Sequence, residues 1–130
     1  MNPEQRFETK RLPQDYDYLA PDGSEIRLLT QVQGGGLCHC ALPEAGVSEP
    51  VYHKTVEELW YCISGQGEVW RKQGFREEIT PVYSGVSLSI PVGTAFQFRN
   101  TGVEPLCFLI ATMPPWPGKE EAITAQGKWS

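Results

Sequence analysis

The residues most able to do chemistry lie between Val51 and Glu68, in the stretch VYHKTVEELWYCISGQGE. It holds His53, one of only two histidines in the chain, and the carboxylate pair Glu57 and Glu58. The apolar run Leu59–Ile63 follows, and Ser64-Gly65-Gln66-Gly67 ends it. An imidazole and a carboxylate near the start of a buried strand can act as a proton-transfer pair: the carboxylate orients the ring and raises its basicity, and the free nitrogen takes or gives a proton. Neighbouring strand residues alternate between faces, so only one of Glu57 and Glu58 can face inward. The other histidine, His39, lies between Cys38 and Cys40 on an apolar strand. Cys-x-Cys is too short a pattern to define a zinc site. A satisfied core histidine and packed thiols are the expected roles there.

The elements that must position these groups are short strands. The chain has 130 residues, which favours one domain (1–130), with an extended N-terminal arm over 1–20 and a C-terminal tail over 114–130. Thirteen glycines and eleven prolines fall between brief apolar runs, as expected for strands joined by turns. Strands are expected over Glu25–Gln33, Leu37–Leu42, Val51–His53 and Glu57–Ile63, the last continuing the strand before it or pairing beside it. Gly67–Gln73 returns, making a hairpin of residues 58–73, and Phe75–Pro81 forms a polar strand. Val86, Leu88 and Ile90 alternate with serines, and Phe96 and Phe98 alternate with Gln97 and Arg99, which are expected to face away from them. Leu106–Met113 is the most apolar strand, and the tail from Lys119 forms one helical turn and then frays. Asp22-Gly23, Asn100-Thr-Gly102 and Pro114-Pro-Trp-Pro-Gly118 are turn signals. About nine strands without a long helix make the chain all-β, a sandwich or barrel.

Composition narrows the partners. The net charge of −5, with no Lys/Arg cluster, argues against nucleic acid. No window approaches a membrane span, and the first residues lack the apolar core of a signal peptide. The expectation is a cytoplasmic protein with its four cysteines reduced.

Two spaced motifs make the chain resemble the cupin superfamily. The first motif of that family runs Gly, five residues, His-x-His, three or four residues, Glu, six residues, Gly. Here Gly46 opens it one residue short, Val51 stands where the first histidine would be, His53 matches the second, and Glu58 and Gly65 follow at the family spacing. The second motif runs Gly, five residues, Pro-x-Gly, two residues, His, three residues, Asn. Gly85, Pro91, Gly93 and Asn100 match without a gap, and Phe96 stands in place of its histidine. The resemblance implies a double-stranded β-helix, or jelly-roll barrel, with a ligand pocket at one open end. It also implies a homodimer and selects Glu58 as the inward carboxylate.

Proteins of this kind bind Fe, Mn, Ni or Zn through three histidines and a glutamate. This chain keeps only His53 and Glu58, so the expected cofactor is none or a weakly bound divalent metal, with His39, a cysteine or Gln97 turned inward as a further ligand. Val51, Trp60, Phe96 and Phe98 are the expected pocket wall, suited to an aromatic, polyketide-like or sugar-ring ligand. Arg27 and Arg71 are candidates to meet an anionic ligand, with a solvated surface role the expectation for each. The small-molecule partner admits three functions: a metal-free isomerase, epimerase or cyclase using His53 and Glu58; a non-enzymatic binding or sensor cupin; or a metal-dependent oxygenase with an unusual ligand set. A plain hydrogen-bonded polar pair is the inert alternative for His53 and Glu58.

Overall fold

A computed structural model of the chain describes residues 6–20 and 23–130. The first five residues of the arm, and Asp22 of the expected Asp22-Gly23 turn, lie outside the described residues. Among the described residues eleven strands appear: β1 (Tyr18–Leu19), β2 (Glu25–Val32), β3 (Gly35–Leu42), β4 (Val51–His53), β5 (Glu57–Ser64), β6 (Gln66–Gln73), β7 (Arg76–Tyr83), β8 (Ser87–Ile90), β9 (Ala95–Asn100), β10 (Leu106–Met113) and β11 (Ala122–Thr124). They form a six-stranded sheet in the order β1-β2-β3-β10-β5-β8 and a five-stranded sheet in the order β11-β4-β9-β6-β7.

The two sheets face each other, and period-two patterns select which side chains meet between them. On β5, Glu58, Trp60 and Cys62 are buried while Glu57, Leu59, Tyr61 and Ile63 are exposed. On β10, Leu106, Phe108, Ile110 and Thr112 point inward. Trp60, Phe98 and Phe108 pack at the centre, with ring centroids 4.9–5.8 Å apart. Pro81, which has no N–H for a ladder bond, sits on β7, the outermost strand of its sheet.

Two sequence expectations fail in one way. β5 neither continues nor pairs with β4, because the chain leaves the five-stranded sheet after His53 and enters the six-stranded sheet at Glu57. Residues 58–73 are likewise no hairpin: the chain crosses back at Gly65, and β6 pairs with β7 and β9. Gly65 has φ +86°, and a Cβ there would lie 2.5 Å from the carbonyl oxygen of Pro105. A turn signal marks the corner but does not say which sheet receives the next strand.

The tail does not fray. Lys119–Glu121 forms a 3-10 turn, β11 pairs with β4, and the amides of Lys128 and Trp129 donate to Gln97 Oε1. The Glu121 carboxylate accepts from the amides of Thr55 and Val56 and from the Thr55 hydroxyl, at 2.6–2.8 Å. Residues 114–130 are therefore a strap bound across the five-stranded sheet.

Candidate functional site

A cavity of ≈ 810 Å3 opens between the sheets. β4 contributes Val51 and His53, β5 Glu58 and Trp60, and β9 Phe96 and Phe98. β2, β3 and β10 add apolar groups and the thiols of Cys38 and Cys40. Glu8, Lys10 and Tyr18 from the arm and Trp116 and Lys119 from the strap complete the lining. All six residues expected at the site and its wall thus meet on one cavity, from three strands in two sheets.

His53 is 4 % exposed. Its ring stands edge-on to Phe96 at 5.1 Å and to Trp116 at 5.0 Å. Its carbonyl accepts from the amide of Gly93, but its Nδ1 is buried without a hydrogen-bond partner among the described residues. Burial pushes the imidazole down to about 4, against the opposing pull of Glu121, so the ring is neutral at pH 7. Glu58 is 7 % exposed and accepts from the indole Nε1–H of Trp60 at 2.9 Å. Burial first, then the nearby Cys38 and Glu58, push the Tyr18 phenol up to about 12. Burial and the Glu58 charge do the same to the Cys38 thiol.

The anticipated proton-transfer pair is not assembled as such. Among the described residues no hydrogen bond joins His53 to Glu58. The carboxylate that pulls on the imidazole is Glu121, from the strap. His39 corrects a further expectation. It lies on β3 opposite Arg27 and Leu109, and its neighbours Cys38 and Cys40 line the cavity from the other face. It therefore cannot join His53 and Glu58 as a ligand. Nor is it a satisfied core histidine, because its Nδ1 is buried without a partner among the described residues. Arg27 donates to the carbonyls of Pro13 and Gln14. Arg71 donates to the carbonyl of Ser89 and to the side chains of Glu78 and Thr80. Neither arginine lines the cavity.

The metal centre of the family does not fit these residues. Val51 and Phe96, which stand at two of its four positions, are direct cross-strand partners on β4 and β9. One side of the coordination sphere is thus hydrocarbon. Gln97 points away from the cavity, and among the described residues no three His, Cys, Asp or Glu side chains are grouped to hold an ion.

The sequence motifs do not single out Trp116, Tyr18 or Glu121. The tryptophan in Pro114-Pro-Trp-Pro is a usable signal, since a large ring in a turn needs a surface to cover. Glu121 offers none, being one of several acids in a polar tail.

Two antiparallel sheets wound into a barrel around an end-opening cavity define the double-stranded β-helix class. The cupin domain model matches residues 38–112, more than half of the chain, and the protein belongs to that family. No curated protein matches it in sequence. Among solved structures it is similar to a double-stranded β-helix protein from Klebsiella pneumoniae, with 17% identity over 80% of this chain and 85% of that one and a TM-score of 0.66. KdgF from Halomonas sp. is similar at 16% identity, over 77% of this chain and 87% of that one, with a TM-score of 0.65. Oxalate decarboxylase from Lactobacillus farciminis is similar at 19% identity, over 78% of this chain but 31% of that one, with a TM-score of 0.67. At these identities the likeness is one of fold, and folds of this kind host many chemistries.

Proposed function

We propose that this cupin binds a small, largely apolar, ring-bearing molecule in the barrel cavity, with His53 and Glu58 as its polar contacts, and returns it unchanged. The observation that carries this reading is the buried, unpartnered Nδ1 of His53 on a side chain that lines a cavity of ≈ 810 Å3. Leaving such an atom without a partner costs about 1–3 kcal/mol, which a ligand that supplies the hydrogen bond recovers. The cavity's size and aromatic wall suit such a guest.

The second reading is a metal-free isomerase, epimerase or cyclase with His53 as base and Glu58 as acid or orienter. The shared cavity favours it. The imidazole held near 4 speaks against it, because a base that weak takes a proton poorly at neutral pH. A metal-dependent oxygenase has the least support, given the hydrocarbon at Val51 and Phe96. The apolar outer face of β5, with Leu59, Tyr61 and Ile63 exposed, supports a homodimer. The four free cysteines fit a reducing, cytoplasmic setting.

The test is a screen of ring-bearing metabolites by thermal shift and tryptophan fluorescence, followed by recovery of each hit by mass spectrometry. A hit that raises Tm, loses affinity in His53→Gln and is recovered intact supports binding. A hit converted by the protein but not by His53→Gln establishes the enzymatic reading instead. Hits that bind equally well when Cys38→Phe obstructs the cavity would place the site elsewhere and refute the proposal.

A further inference from the structure

If the cavity is a ligand site, as proposed above, a guest must be able to reach the open nitrogen of His53. As folded it cannot: the Nδ1 atom is buried and the whole side chain is 4 % exposed. Something beside the ring has to move first. Among the described residues two rings flank it, Phe96 at 5.1 Å and Trp116 at 5.0 Å. Phe96 is fixed. It lies on β9 between β4 and β6, is buried, and packs against Trp60 at 5.5 Å.

Trp116 is held by far less. The other three tryptophans are each tied down. The indole N–H of Trp60 donates to Glu58 at 2.9 Å, and that of Trp70 donates to Glu77 at 2.7 Å. Trp129 lies under the Arg99 guanidinium at 4.3 Å, and its backbone amide and carbonyl are both hydrogen-bonded to the Gln97 side chain. The half-buried Trp116 has no such tie among the described residues, only its edge-on contact with His53. Its backbone is equally free. Residues 114–117 make no backbone hydrogen bond among the described residues, and Pro114, Pro115 and Pro117 have no N–H to donate. The segment is anchored at its ends, by Met113 on β10 and by the Glu121 carboxylate on Thr55 and Val56. Gly118, at φ +142°, supplies a joint that a residue with a side chain would rarely permit.

We propose that Trp116 is the gate of the cavity: the 114–118 segment swings outward, carrying the indole off His53, and closes again over a bound guest. The ring thereby decides which guests reach the imidazole. Prolines fix φ, so the segment moves as a stiff piece between its two anchors, as lids do about terminal hinges. Opening breaks none of the hydrogen bonds that hold the strap, so it costs little beyond the ring contact.

The test needs no guest. Diethyl pyrocarbonate acylates neutral imidazole only where the reagent can reach it, and His53 is neutral at pH 7. Acylation of each histidine is followed by mass spectrometry in the unmodified protein and in Trp116→Ala. His39 is the internal reference, because its Nδ1 is also buried but its ring lies across β3 from the cavity. The expected result is slow acylation of His53 that accelerates roughly tenfold or more in Trp116→Ala, since the rate follows the open fraction, with His39 unchanged. Rapid acylation of His53 in the unmodified protein, no acceleration in the variant, or equal acceleration at both histidines overturns the gate. Should Trp116→Ala fail to fold, fluorotryptophan labelling of the otherwise unmodified protein gives a second reading. The fluorine resonance of Trp116 should show microsecond-to-millisecond exchange that Trp60 and Trp70 lack. A Trp116 as static as Trp70 overturns the proposal. A barren metabolite screen would overturn the ligand reading and leave these outcomes as they stand, so the two readings fail separately.

Discussion

Gln97 and His53 are two buried polar side chains in one sheet, and they are treated oppositely. Gln97, 1 % exposed on β9, meets its full hydrogen-bonding capacity. Its Nε2 donates to the carbonyls of Ser48 and Trp129, and its Oε1 accepts from the amides of Lys128 and Trp129, all at 2.9 Å. His53, one strand away on β4, is nearly as buried, yet one of its nitrogens has nothing to bond among the described residues. Folding satisfies the first and leaves the second open. His39 Nδ1 is open as well, but only His53 lines the cavity, so under the proposed function the contrast sets a polar group that builds the protein against one left for a guest.

Four experiments bear on that contrast, in descending order of effect. Gln97→Leu strands four groups and releases the strap, and should cost about 4 kcal/mol at about 1 kcal/mol per bond, read from the urea midpoint. Acid comes next. A histidine whose folded pKa is lowered from 6.5 to about 4 is protonated first in the unfolded chain, so stability is full above pH 6.5 and falls as pH drops towards 4. The loss should approach about 3 kcal/mol, and His53→Phe should flatten that slope. Glu121→Gln should cost about 2 kcal/mol, because an amide offers one acceptor oxygen where the carboxylate uses two to hold three donors. Burial raises the Glu121 pKa, but those three donors and His53 outweigh it and hold it low. Its contribution is therefore full above the usual glutamate range and disappears below it, and hydrogen exchange at Thr55 and Val56 should report the loosened clasp. Finally, His53→Phe at neutral pH should leave stability unchanged or raise it by about 1 kcal/mol, since it replaces a buried unpaired atom, itself a cost, with hydrocarbon. A loss as large as that of Gln97→Leu would show that His53 is structural and end the contrast.

Much of this architecture can be read in the chain, and the limits have physical causes. The unbroken spacing from Gly85 to Asn100 and the alternation in β8 and β9 come from local geometry, which sequence records directly. The same holds for Glu58 and Trp60 sharing a face. Sheet membership is different: whether β6 folds back on β5 or crosses to β9 depends on distant partners, such as Gln97 opposite Trp70. The hairpin expected over residues 58–73 failed for that reason. Gln97 was expected to face away from the cavity, and it does, but nothing local announced that Lys128 and Trp129 would cover it. His39 misleads because a histidine on an apolar strand reads as a satisfied core residue, whereas whether its nitrogens find partners depends on the strands beside it.

The mouth of the barrel is made from both ends of the chain, the arm through Tyr18 and the strap through Trp116. Neither segment supplies the paired strands at the centre of the sheets. A directed-evolution library confined to residues 8–19 and 115–119 would therefore reshape the entrance while leaving the scaffold's interior sequence untouched. Natural divergence has the same freedom, so new appetites can be acquired at the termini of this barrel without rewriting its middle.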